Sequence, residues 1–165
     1  MYKLWKESPM ATIRQNERSE AINIITHINA FLKGKTWRFK CAGGETTVSE
    51  GKKRMFPDVI LYGDSTMTQI LQGWELKMPD VPITDEEFIH DAQRKAITLG
   101  LNSCFIWNFT AGILYERTNN NDFIIVKQWD ETSYITTRAD VNEFREDWLA
   151  QIEKILIDIN EYFVN

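Results

Sequence analysis

The chain has 165 residues, 43% of them apolar and 26% charged, with 6 Trp, 9 Phe and 5 Tyr. That composition excludes the disordered class and fits one globular domain with its own core, and no stretch is apolar for long enough to span a bilayer. The formal net charge of -5 argues against broad adhesion to nucleic acid, and two cysteines, Cys41 and Cys104, make neither a disulfide framework nor a zinc spacing and read as small buried residues.

Met1 to Ala11 carries Lys3, Lys6 and Glu7 without the apolar core of a signal peptide, so the expected location is the cytoplasm. From Asn16 to Leu32, Ala21, Ile24, Ile25, Ile28, Phe31 and Leu32 recur at helical spacing, and Gly34 supplies a stop. Glu20 stands one helical turn before Ile24, which directs its carboxylate toward the sheet-facing side; there it needs a cation, either Lys77 or a metal. Thr36 to Cys41 alternates as a strand, Gly43-Gly44 reads as a turn, and a loop continues to about Arg54. Lys33, Lys35, Arg38, Lys40, Lys52, Lys53 and Arg54 are interrupted only by Glu45 and Glu50. Such a basic stretch holds a phosphate backbone despite an acidic total, because screening beyond about 10 Å weakens remote repulsion, or is simply a solvated face.

Met55 to Tyr62 and Ile70 to Lys77 are strand-like runs joined through Gly63-Asp64-Ser65, which predicts a hairpin. Thr84-Asp85-Glu86-Glu87 then offers an N-cap and acidic first turn for a helix running to Leu99, with Gly100 at its end. Gln93, between Ile89 and Ile97, interrupts what reads as its sheet-facing stripe. Cys104 to Phe109 is a central strand covered on both faces, and Ile113 to Glu116 with Phe123 to Trp129 form a second hairpin through Asn119-Asn120-Asn121. Val141, Phe144, Trp148, Ile152, Ile155, Ile159 and Tyr162 mark a last amphipathic helix. It reaches the terminus without a clear cap, so a fragment of a larger protein is expected.

Chemistry gathers at Pro57-Asp58, which opens one predicted strand, and at Glu75-Leu76-Lys77, which closes the next. Alternation puts Glu75 and Lys77 on one face, where two carboxylates invite a divalent metal and the lysine a phosphate. As strings these are weak, since Glu50-Gly51-Lys52 and Pro79-Asp80 repeat them, but only Asp58, Glu75 and Lys77 share neighbouring strands. His27 and His90 are too few for a histidine metal site, and the tryptophans fall at core-like periodicities.

Glu20, Pro57-Asp58, Glu75-Leu76-Lys77 and Gln93, in the order helix, strand, strand, helix, make the chain resemble the PD-(D/E)XK nuclease superfamily over roughly Asn16 to Phe109. Within it, the chain is similar to nuclease domains at the N-terminus of large restriction enzymes and to Holliday-junction resolvases. The resemblance implies an α/β fold: a restriction-endonuclease-like core with a central mixed β-sheet flanked by helices, plus a C-terminal hairpin and long helix, in one domain over residues 1–165. It implies Mg²⁺-dependent hydrolysis of DNA, with Mn²⁺ substituting. Asp58, Glu75, the Leu76 carbonyl and Glu20 would serve the metal, Lys77 the attacking water or the phosphate, and Gln93 the lysine, a water or the DNA backbone. Double-stranded DNA is the expected partner. Methyltransferase, helicase or specificity domains beyond this chain, and a homodimer for double-strand cleavage, are also expected. The alternatives are a junction or repair nuclease and a non-catalytic module that binds DNA or protein.

Overall fold

The computed structural model describes residues 9–44 and 56–164. Their elements are α1 (Pro9–Leu32), β1 (Cys41–Gly44), β2 (Val59–Tyr62), β3 (Ile70–Leu76), α2 (Glu86–Leu99), β4 (Ser103–Trp107), β5 (Gly112–Arg117), β6 (Phe123–Trp129), α3 (Arg138–Glu143) and α4 (Arg145–Val164). The strands form a six-stranded mixed sheet in chain order, antiparallel except where β4 runs parallel to β3. A parallel neighbour needs a crossover, and α2 provides it. Among the described residues no helix is long and apolar enough to cross a membrane.

Two apolar clusters sandwich the sheet. On one face Ile24, Ile28 and Leu32 of α1 and Trp148, Ile152, Ile155 and Ile159 of α4 pack on Val59, Leu61, Trp74, Phe105 and Trp107. On the other, Phe88, Ala92 and Ala96 of α2 pack on Cys104, Ile106, Ile113 and Tyr115. β4 contributes to both and is buried along its whole length, as its unbroken apolar run implies. Trp74, Trp107, Trp129 and Trp148 are core residues.

Several element boundaries differ from the sequence reading. The first strand runs from Cys41 to Gly44 instead of Thr36 to Cys41, and Gly43-Gly44 belongs to the ladder. Gly44 is needed there because a Cβ would come 2.6 Å from the Asp58 carbonyl oxygen, so its missing side chain serves close approach and not a turn. The strand read as Cys104 to Phe109 stops at Trp107. Asn108 ends it by accepting from the amides of Thr110 (3.1 Å) and Ala111 (2.9 Å), and Phe109 takes a left-handed φ of 72°. The last helix is two: Thr137 and Asp140 form a reciprocal capping box for α3, and the chain leaves helical geometry at Phe144 (φ -104°, ψ 34°). Beside that break the indole Nε1 of Trp148 donates to the Val141 carbonyl (2.8 Å). Cys104 is buried as expected, whereas Cys41, at the edge of the sheet, is only half-buried.

The hairpin at Gly63-Asp64-Ser65 forms as expected. Asp64 organises it by accepting from the amides of Thr68 (3.0 Å) and Gln69 (2.9 Å), and the Thr66 and Thr68 hydroxyls foremost, with the Gln69 amide after them, hold its carboxyl well below the usual carboxylate range. Asp85 caps α2 by accepting from Phe88 N (3.0 Å), and Gly100 closes it in the left-handed conformation.

Candidate active site

Pro57 and Asp58 precede β2, whose first residue Val59 pairs with Gly44 on one side and Trp74 on the other. Both neighbouring strands offer glycine where this segment lies. Pro57 occupies the space over Gly73, where a Cβ would approach within a distance that real Cβ atoms do not reach, and Gly44 admits the Asp58 carbonyl. So clamped, Asp58 turns its carboxylate across the hairpin, and its Oδ2 accepts from Leu76 N (2.8 Å). The bond fixes one carboxylate against the residue that follows Glu75.

Glu75 lies on the α2 side of β3 and is buried, with an exposure of 7%. Its Oε2 is paired with Lys95 Nζ at 2.8 Å, while its Oε1 is buried and has no hydrogen-bond partner among the described residues. Burial foremost, and then the charge of Asp58, push the Glu75 carboxyl up to about 8 against the pull of Lys95. The two acids therefore sit close enough to oppose each other's ionisation. Burial first, and Glu75 next, raise the neighbouring Cys104 thiol to about 12, so it is an inert part of the wall.

Lys77 follows β3 and continues its ladder, its amide donating to the Trp107 carbonyl (3.1 Å). Strand alternation carries its side chain to the side of Glu75. Lys77 is half-buried as a residue, and its ammonium makes no hydrogen bond or ion pair among the described residues.

Glu20 approaches the same end of the sheet from the other face. Asn29 bonds Ala42, Ile25 lies over Gly44, and each residue toward the helix start advances about 1.5 Å, so Glu20 projects beyond Gly44 toward the Asp58 end. It is buried as its spacing predicts, at 8% exposure, and the side-chain cation that meets it is not Lys77. The Arg145 guanidinium holds both oxygens, at 2.8 and 2.7 Å, and stacks over Trp148. Among the described residues no three His, Cys, Asp or Glu side chains are gathered so as to hold a metal ion. Asp58 and Glu75 stand as a pair.

Gln93 is not on the sheet-facing stripe. That stripe is Phe88, Ala92 and Ala96, whereas Ile97 is exposed and Gln93 borders a shallow surface hollow with Glu86, Glu87, Ile89 and His90. The inward polar residue of α2 is Lys95, which lies three residues after Ala92 and seven after Phe88, a helical spacing that is the signal for it in the sequence.

Of the basic stretch, Lys52, Lys53 and Arg54, with Glu45 and Glu50, lie outside the described residues. Lys35 stacks on Phe31 (4.1 Å) and Lys40 donates to the Trp37 carbonyl (2.7 Å). His27 bonds Glu153 across α1 and α4 (2.8 Å), and Asp80 pairs with Arg138 (3.1 Å). No protein-family model matches the chain, and it matches neither a curated protein nor a solved structure.

Proposed function

We propose that the chain is a Mg²⁺-dependent DNA endonuclease with a restriction-endonuclease-like core of the PD-(D/E)XK type, acting in restriction of foreign DNA as part of a larger enzyme. The observation that carries this reading is the pairing of Asp58 with Glu75 at adjoining strand ends. Glu75 is raised in pKa first by its burial and then by Asp58, one of its oxygens is left unpartnered, and Lys77 follows on the same strand. The element order around the pair, three antiparallel strands followed by a helical crossover to a parallel fourth, supports the same reading.

The residues fit a divalent cation. The Glu75 carboxyl is pushed up by its burial and then by Asp58 even against the pull of Lys95, and its orphaned buried oxygen is costly until something binds it. Oxygen donors of this kind suit Mg²⁺ or Mn²⁺. Asp58, Glu75 and the Leu76 carbonyl would hold the ion. When bound, it supplies charge that polarises the scissile phosphate and acidifies the attacking water.

The remaining steps belong to the chain. Lys95 and the Leu76 amide each hold one oxygen of a carboxylate, so Glu75 and Asp58 keep fixed orientations. Lys77, with its ammonium unspent, donates to the phosphoryl oxygen that gains charge or orients the water in line. Gln93, on the flank of α2, serves the DNA backbone. Hydrolysis leaves a 5′-phosphate and a 3′-hydroxyl.

Mn²⁺ calorimetry tests the site. Asp58→Ala is expected to abolish the binding isotherm, and an unchanged isotherm sinks the assignment. Junction or repair cleavage uses the same chemistry, so linear duplex, flap and four-way substrates separate that biology from restriction.

A further inference from the structure

Lys95, Lys127, Arg138, Arg145 and Lys154 each meet a carboxylate. Lys33, Lys35, Arg38 and Lys40 stand close together in the chain, and none of them makes an ion pair among the described residues. The local fold holds these four in place. Gly34, at a left-handed φ of 78°, ends α1 and turns the chain toward β1. Trp37 and Phe39 then point inward, Trp37 meeting the Phe31 and Phe39 rings edge-on at 5.8 Å each, and alternation leaves Arg38 and Lys40 exposed. The backbone beneath them is tied on both sides, Lys40 N donating to the Tyr62 carbonyl (2.8 Å) and Arg38 N to Asn160 Oδ1 (3.4 Å). Cations on a backbone already fixed lose little freedom when a ligand binds.

The donors are also unspent. Lys40 gives one N–H to the Trp37 carbonyl (2.7 Å) and Lys35 lies over the Phe31 ring (4.1 Å), so each ammonium keeps hydrogens for a ligand. Asp64 lies beside the segment, where its carbonyl accepts from the Cys41 thiol (3.4 Å), but its carboxylate is turned into its own hairpin by the amides of Thr68 and Gln69. The apolar side chains of the segment, Trp37 and Phe39, are half-buried and buried, so it presents charge and no apolar surface for a lipid chain or a protein core.

We propose that the segment from Lys33 to Lys40 is a docking surface for the phosphate backbone of duplex DNA, separate from the Asp58–Glu75 pair. The choice of DNA among polyanions rests on the nuclease reading, while the unpaired charge does not. Screening beyond about 10 Å keeps the net charge of -5 from cancelling the cluster. Lys40 is bonded beside Tyr62, which lies four residues along the chain from Asp58, about 13 Å at the rise of a strand. That separation is roughly four base-pair rises, which one duplex covers. Contacts to the backbone hold the duplex in place without reading its sequence.

The test measures affinity for short duplexes against salt, in EDTA, on the whole chain. The side chains of Lys33 and Arg38 make no hydrogen bond or ion pair among the described residues, so Lys33→Gln/Arg38→Gln leaves the fold intact. It is expected to weaken binding to duplexes of unrelated sequence alike and to reduce the slope of log K on log salt by about one for each cation removed. Lys40→Gln should reduce the slope by about one by itself. Lys127→Gln/Lys154→Gln removes equal charge from cations paired with Asp158 and Glu131, and should keep the wild-type slope.

A wild-type slope in both basic variants, an equal loss in the paired-cation control, or no duplex binding by the unaltered chain overturns the proposal. So does retention on phosphatidylserine vesicles that Lys33→Gln/Arg38→Gln abolishes while duplex affinity stays unchanged, since the segment is then a membrane surface. The predicted slopes with Mn²⁺ binding indifferent to Asp58 overturn the nuclease reading and support the phosphate surface. Unchanged slopes with Mn²⁺ binding that depends on Asp58 overturn the surface alone.

Discussion

Pro57 fills the space that a side chain at position 73 would need: a Cβ on Gly73 would meet the proline ring closer than 3.0 Å, a separation that real Cβ atoms essentially never show. The contact sets the start of β2 against the middle of β3 and so aims Asp58 at the Leu76 amide. Gly73→Ala must therefore displace Pro57 or bend a buried strand. The expected cost is about 1–3 kcal/mol by denaturant unfolding, with activity falling further than stability because Asp58 moves. Wild-type stability and activity together would contradict the clamp.

The Glu75 carboxyl gives a pH signature. Its pKa in the folded protein is about 8 against an ordinary value of 4.5, so the folded state holds a proton that the unfolded state has released. Stability from this group is therefore present below about pH 4.5 and is lost as pH rises toward about 8. Glu75→Gln should remove that loss. The difference in unfolding free energy between variant and wild type is expected to shift in favour of the variant, by roughly 3 kcal/mol, between pH 5 and pH 8 in metal-free buffer. A pH-independent difference would count against the burial and charge opposition described for the pair.

Asn29 acts as a substitute strand for the edge of the sheet. Its side chain accepts from Ala42 N (2.7 Å) and donates to Ala42 O (3.0 Å), two backbone groups on the side of β1 away from β2. Asn29→Leu strands both and should cost about 1–3 kcal/mol in a thermal or denaturant melt. An unshifted midpoint would show that water satisfies these groups.

The parts of the molecule legible in the sequence are those governed by local periodicity. The β2–β3 hairpin, α2 with its cap and Gly100, and the doubly covered β4 all follow from patterns within a few residues of each other. Gly44 reads as a turn in sequence because glycine marks both turns and close approaches, and only the neighbouring Asp58 carbonyl distinguishes them. The break between α3 and α4 was missed because an apolar stripe continues through it, although Thr137 and Asp140 carry the spacing of a capping box. Helical spacing from Phe88 and Ala92 reaches Lys95, whereas the apolar residues Ile89 and Ile97 flank Gln93 and mimic an inward stripe. Arg145 was out of reach: its link to Glu20 joins residues 125 apart in sequence, and nothing local to either end specifies the other.

The central claim is that Asp58, Glu75 and Lys77 form a working metal-nuclease site, and nicking of supercoiled plasmid DNA tests it most directly. The whole chain with Mg²⁺ or Mn²⁺ is expected to nick the plasmid and to stop when EDTA is added. Asp58→Ala and Lys77→Ala, each folded by circular dichroism, should lose at least about 100-fold in rate. Wild-type-like nicking by either folded variant, or no metal-dependent nicking by the unaltered chain, would contradict the account.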